Sequence, residues 1–143
     1  MISCQLSRVG SDVKILLDTH IFLWALTEPN RLREKSKSLL KDPDNQLYFS
    51  AASSWEISIK AGLGKLPLPE PPDKYISSRM ASLKIIPLDV KHYHTFIVHK
   101  LPFHHKDPFD RLLISTAIAE NISLMSADEK FCKYDIDLIC GLD

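Results

Sequence analysis

Apolar positions along this chain come in short clusters separated by turn formers. Lys14-Ile15-Leu16-Leu17 is an apolar run that stops at Asp18, which predicts a strand buried on both faces. Asp18 or Thr19 can cap a helix through Ile21-Phe22-Leu23-Trp24-Ala25-Leu26, ended by Pro29-Asn30. A second helix is predicted from Arg31 to Lys41, closed by the turn formers Asp42-Pro43-Asp44-Asn45. Leu47-Tyr48-Phe49-Ser50 reads as the next strand. Ser53 or Ser54 then caps a helix through Trp55, Glu56, Ile57 and Ile59, ending at Gly62 or Gly64. Four prolines in the seven residues from Leu66 to Pro72 predict an irregular connection.

A helix is expected from Asp73 to Lys84 and a strand over Ile85-Ile86-Pro87-Leu88, whose proline assigns it to a sheet edge. Asp89 opens a helix from Val90 to Lys100. The clearest helix starts at Asp107-Pro108-Phe109-Asp110-Arg111: Asp107 is the N-cap, Pro108 the first helical residue and Asp110 the third. Beyond Arg111 this segment is apolar on nearly every side, as a centrally buried helix requires. Ser123-Leu124-Met125-Ser126 is a strand ending two residues before Asp128. A short helix from Glu129 to Tyr134 leads to a last strand near Asp137-Leu138-Ile139-Cys140. Strands alternating with helices imply an α/β fold with a parallel sheet covered on both faces. Residues 1–13 are polar and aperiodic, and are expected to form a flexible leader to a single domain over residues 14–143.

The 143 residues suit one domain, and 45% hydrophobic with 25% charged residues excludes a disordered chain. No apolar run approaches the roughly 18 residues of a membrane span, and the N-terminus lacks a signal-peptide core. Cys4, Cys132 and Cys140 are odd in number and scattered, with no close pair to hold zinc, which favours a reducing cytoplasm. Eighteen basic residues balance eighteen acidic ones. Global charge therefore gives no support for nucleic-acid binding; only a bound metal and a local basic rim could supply it.

The acidic residues carry the chemistry. In parallel α/β sheets, ligands bind beyond the carboxyl ends of the strands. Asp18 follows the first strand and Asp128 the fourth, Glu56 lies early in the helix leaving the second, and Asp110 lies in the first turn of the buried helix. Right-handed crossovers bring all four to one rim. Two carboxylates about 4 Å apart repel by roughly 4 kcal/mol at an effective dielectric near 20, so such a group must take up protons or a divalent cation. Oxygen-only ligands favour Mg²⁺ or Mn²⁺ over zinc, and such an ion suits phosphodiester hydrolysis. A helix cap, a helix dipole, a solvated face or a turn would each account for one of these acids taken alone. Their joint placement is what points to a site. Asp107 is expected to support it as the cap.

Four ordered motifs then carry a resemblance: LLDTHIFLWAL, SAASSWEISIKAGLGKLPLP, HHKDPFDRLLISTAIAE and SLMSADEKF. They resemble those of PIN-domain proteins, and most of all the VapC-type toxins of bacterial toxin–antitoxin modules, over about Lys14 to Cys140. The resemblance implies a three-layer α/β/α fold with a central five-stranded parallel sheet. It also implies a Mg²⁺- or Mn²⁺-dependent endoribonuclease, a homodimer, silenced by a cognate VapB-like antitoxin. The family's acidic quartet falls on Asp18, Glu56, Asp110 and Asp128 as catalytic and metal-binding residues. Ser126 stands where the family commonly has threonine and keeps the supporting hydroxyl. The three aspartates are expected chiefly to ligate metal, and Glu56 to ligate it or orient the attacking water.

Lys60, one turn beyond Glu56, and Arg111, beside Asp110, are candidate RNA-phosphate contacts. His104 and His105 with Lys106 are candidates for the border of an RNA groove; with His99 they lack the spacing of a zinc site. Trp24 and Trp55 follow apolar periodicity and are expected in the core. Phe22, Leu23 and Leu26 fit equally a partner surface or burial under the sheet. Two rival functions are a metal-dependent phosphatase of small phosphate esters and a non-catalytic PIN-like binding module. Haloacid-dehalogenase-like phosphatases use a second aspartate two residues after the first, and His20 stands there instead. The filled quartet argues against the second rival.

Overall fold

A computed structural model describes residues 13–134 and 136–140. Strands β1 (Lys14–Leu17), β2 (Gln46–Ser50), β3 (Ile85–Leu88), β4 (Ser123–Ser126) and β5 (Leu138–Cys140) form one sheet of order β3-β2-β1-β4-β5, every neighbouring pair parallel. The helices are α1 (Thr19–Thr27), α2 (Glu34–Lys41), α3 (Ala51–Gly62), α4 (Pro72–Leu83), α5 (His92–Val98) and α6 (Pro108–Glu120), with short 3₁₀ turns at Pro29–Arg31 and Glu129–Lys133. The expected α/β architecture with five parallel strands is therefore present. Pro87 lies in β3 at a sheet edge, the position in a sheet that tolerates proline.

Alternation along β1 shows why the sheet has two covered faces. Ile15 and Leu17 pack in one cluster with Phe22, Phe49 and Ile57; Leu16, between them, belongs to another with Leu113, Ile114 and Phe131. A period of two sends successive side chains to opposite faces, and each face meets its own helices. Phe22 and Phe49 stack with ring centroids 4.2 Å apart at the centre of the first cluster.

The winding direction reverses at β1: β2 and β3 extend to one side, β4 and β5 to the other. The carboxyl ends of β1 and β4 thus flank a topological switch point, where ligands bind in such sheets. The Asp18 N–H donates to the Met125 carbonyl at 3.1 Å, carrying the β1–β4 ladder one residue past the strand.

Three element boundaries differ from the sequence reading. The helix expected from Arg31 to Lys41 is divided, because Arg33 is extended (ψ 149°) between the 3₁₀ turn and α2. Ser50 caps α3 in place of Ser53 or Ser54, its Oγ accepting the Ala52 N–H at 3.0 Å. The turn from strand to helix is therefore immediate. Helix α5 is capped by Lys91, whose N–H donates to His94 Nδ1 at 3.0 Å, so the helix starts three residues after Asp89.

Of the predicted leader, residues 1–12 lie outside the described residues. Val13 does not behave as leader: it is buried, and its N–H donates to Asn45 Oδ1 at 3.1 Å. Cys132 is disulfide-bonded, so cysteine scatter is no argument for a reducing compartment. Among the described residues no helix is long and apolar enough to cross a membrane.

Phe22→Ala should lower unfolding free energy by about 3–5 kcal/mol, through lost burial and an unfilled cavity against Phe49. Denaturant titration should show this as a lower midpoint with an unchanged slope.

Candidate active site

Three acids of the quartet are placed by the start of a helical element, and Glu56 by the second turn of one. Asp18 is the N-cap of α1, its Oδ1 accepting the Ile21 N–H at 2.8 Å, while Oδ2 accepts the Ser126 hydroxyl at 2.5 Å. Ser126 ends β4 and its Oγ also accepts the Asp128 N–H at 3.0 Å. One hydroxyl thereby ties the ends of β1 and β4 together. Glu56 lies in the second turn of α3 and is buried. Its Oε1 accepts the Thr19 hydroxyl and its Oε2 the Lys60 ammonium, both at 2.7 Å.

Asp107 caps α6, its Oδ1 accepting the N–H groups of Phe109 (2.8 Å) and Asp110 (3.3 Å). That leaves Asp110, in the first turn, free to face the cluster. Asp128 caps the Glu129–Lys133 turn through the Lys130 N–H at 2.9 Å.

The four carboxylates share one field. Asp110 is pushed up to about 8, first by desolvation and then by the charges of Asp107, Asp18, Glu56 and Asp128. Burial also raises Asp18, against the opposing effects of Ser126, the Ile21 N–H and His20. Asp18, Glu56 and Asp128 thus all act on Asp110, a grouping that is electrostatically costly without a counter-charge, but Asp18 and Glu56 do not enter the cluster of potential metal-ligand atoms to which Asp110 and Asp128 belong. Carboxylate oxygens such as those of Asp110 and Asp128 suit a hard divalent cation.

Lys60 and Arg111 part company. The Lys60 ammonium pairs with Glu56 while its side chain keeps 44% exposure. Arg111, expected to touch phosphate, is buried instead. Its Nη1 donates to the carbonyls of Pro102 (2.9 Å) and His105 (3.2 Å), and its Nη2 to those of Val98 (3.1 Å) and Leu101 (3.3 Å). Phe103 covers the guanidinium at 4.4 Å. A helix that starts at the rim turns one flank toward the preceding loop, and Arg111 lies on that flank.

Trp55 departs from the sequence reading most sharply. It is 61% exposed and meets Phe109 edge-on, ring centroids 5.2 Å apart. Because Ser50 caps α3, Glu56 faces inward and its neighbour Trp55 faces out. Trp24 is half-buried against the first core cluster, with the Arg31 guanidinium 3.9 Å above its ring.

His105 was grouped with its neighbours but not with the acids. It is buried, and its Nε2 lies 2.9 Å from Asp110 Oδ2 and 3.0 Å from Asp128 Oδ2. A histidine two residues before a helix-capping aspartate is the signal in the sequence, because the cap brings that loop back to the rim. His104 is exposed, edge-on to Tyr134. The exposed His99 does not enter the one candidate metal cluster among the described residues, that of His105, Asp110 and Asp128.

A parallel sheet with acids at its switch point defines a class, and comparison with known proteins agrees. The profile of the PIN domain family matches residues 15–137, so the chain belongs to that family. Ribonuclease VapC16 of Mycobacterium tuberculosis is 44% identical over 61 residues, a stretch covering 43% of each protein. Among solved structures, VapBC2 from Rickettsia felis bound to a promoter DNA fragment superposes with a TM-score of 0.69 at 21% identity, covering 90% of this chain and 99% of that one. VapBC-1 from nontypeable Haemophilus influenzae gives 0.60 at 17% identity, covering 90% and 98%. The structural likenesses establish the shared fold.

Two outcomes follow from this geometry. Asp110 keeps in the metal-free fold, up to about pH 8, a proton that the unfolded chain releases near 3.8. Stability should therefore fall as pH rises between those values, by at most about 1.4 kcal/mol per unit. Asp110→Asn should flatten that dependence in chelator, as thermal unfolding at pH 5, 6.5 and 8 would register. Arg111→Met should lower stability by roughly 3 kcal/mol, since it leaves buried carbonyls without donors, a loss visible in the denaturation midpoint.

Proposed function

We propose that this chain is a Mg²⁺- or Mn²⁺-dependent endoribonuclease of the VapC type, the toxin of a VapBC-like module. The observation that carries this reading is the field at Asp110, which feels Asp18, Glu56 and Asp128 together. The 44% identity to a ribonuclease VapC supports the activity over the matched stretch. We assign the activity to a single domain that includes Val13 and runs on through the chain, with the residues before Val13 as a leader, and to the cytoplasm, where RNA is available.

In this reading Asp18, Asp110 and Asp128 hold the cation, and Glu56 holds it or orients the attacking water. A divalent ion bound there supplies Lewis-acid stabilisation of the phosphoryl oxygens and a more acidic water. Glu56 is suited to orienting water because Thr19 and Lys60 fix both its oxygens. Ser126 holds Asp18 in place, and Asp107 fixes the start of α6. The exposed part of Lys60 is available to phosphate.

The exposed Trp55, next to Glu56 and edge-on to the half-buried Phe109, favours a nucleic acid over a small phosphate ester, because exposed aromatic faces stack on bases. The phosphatase reading also lacks its second acid at His20. For partners we propose a VapB-like antitoxin and a second copy of the chain. A cavity of about 140 Å³ between α1 and α2, lined by Phe22, Ala25, Leu32 and Leu40, suits an apolar side chain of the antitoxin.

Purified protein with Mn²⁺ should cut single-stranded RNA, and Asp18→Asn should reduce the rate by at least about a hundredfold. Equal rates would remove the quartet from the chemistry. Turnover of a generic phosphomonoester with intact RNA would favour the phosphatase.

A further inference from the structure

His105 is held at every polar atom except one. Its backbone N–H donates to Tyr134 Oη at 2.8 Å, and its carbonyl accepts from Arg111 at 3.2 Å. Tyr134 Oη in turn donates to the Pro102 carbonyl at 2.8 Å. The ring packs on Phe131 at 5.4 Å, and Nδ1 accepts the Asp107 N–H at 3.3 Å. Only Nε2 is left, and it points between one oxygen of Asp110 and one of Asp128, acids carried by α6 and by the end of β4.

Those three residues have the spacing of a metal-ligand set, but the proton inventory decides against ligation by the histidine. To bind a metal, Nε2 must present a lone pair, and a neutral ring then carries its proton on Nδ1. That proton would face the Asp107 N–H, donor against donor. With Nδ1 accepting, the proton belongs on Nε2, which donates to Asp128 and lies 2.9 Å from Asp110 Oδ2.

We propose that His105 is a positioning residue. Its Nε2–H bridges Asp110 and Asp128 and holds the two carboxyl groups at the separation a divalent cation needs, without itself coordinating the ion. This rests on the reading of the quartet as a cation site. The loop knotted by Arg111 and Tyr134 exists, on this account, to aim one N–H. Removing such an outer partner of metal ligands commonly weakens metal affinity by about 10–100-fold. Glutamine can place a side-chain N–H₂ near the Nε2 position, whereas leucine cannot donate.

Three measurements on the full chain test this. Nitrogen-15 NMR of the metal-free protein should show the His105 proton on Nε2; a proton on Nδ1 alone would overturn the proposal. Calorimetric Mn²⁺ titration should find His105→Gln within about threefold of the parent and His105→Leu weaker by about 10-fold or more. Equal affinity of His105→Leu and parent would defeat the bridge while leaving the cation site intact. No Mn²⁺ binding by the parent would instead defeat the cation reading, and the bridge with it. Pulsed paramagnetic resonance of Mn²⁺ on the parent should show no directly bonded nitrogen. A strong nitrogen coupling lost in His105→Gln would make His105 a ligand, and this readout needs no stable leucine variant.

Discussion

Like charges brought together in a poorly hydrated place must be held there by something other than one another. Asp18, Glu56 and Asp128 each have two fixed donors: a backbone N–H and a hydroxyl for Asp18, a hydroxyl and an ammonium for Glu56, a backbone N–H and the His105 ring for Asp128. Asp110 has only the nearby His105 ring, 2.9 Å away, and faces Asp107 and the whole quartet, and it is the one pushed up to about 8. The imbalance between carboxylates and donors is the main energetic feature of the rim. A divalent cation is the simplest species that resolves it, since it replaces several weak compensations with one double charge.

The fold can carry that burden because stability and chemistry use different parts of it. Two apolar clusters, one on each side of the sheet, lie beneath the rim and depend on none of the acids. Asp18, Asp110 and Asp128 stand at strand ends and first helical turns, where backbone N–H groups would otherwise lack partners. Using a cap as a candidate ligand therefore meets a structural need and a chemical one together, as at Asp18 and Asp128. The loop between α5 and α6 follows a different logic. It has little regular structure, and its carbonyls are gathered by one buried arginine, which fixes a segment that hydrophobic packing alone would leave loose.

The places of the four acids in the fold were legible because they follow from local patterns. An apolar run that ends at Asp18 or shortly before Asp128, and the Asp107-Pro108 start of α6, mark strand and helix ends without any tertiary knowledge. Pro87 likewise marked an edge strand through its missing donor. Legibility failed where a side chain's direction depends on a neighbour far along the chain. Trp55 sits in an apolar pattern and yet faces out, because a cap at Ser50 sets the rotation of α3. Arg111 sits beside a candidate catalytic acid and yet turns away, because carbonyls from Val98 to His105 surround its guanidinium.

Periodicity and turn chemistry, both local, were enough to determine the alternation of strands and helices, the parallel sheet and the rim on which the acids would meet. Which donors meet which acids was decided only by the folded chain. The Ser126 hydroxyl reaches Asp18 across 108 positions of sequence, and the His105 ring reaches Asp128 across 23. Hydrogen bonds depend on direction and on tenths of an ångström. Such precision comes from the packing of several elements at once and leaves no mark on any single segment.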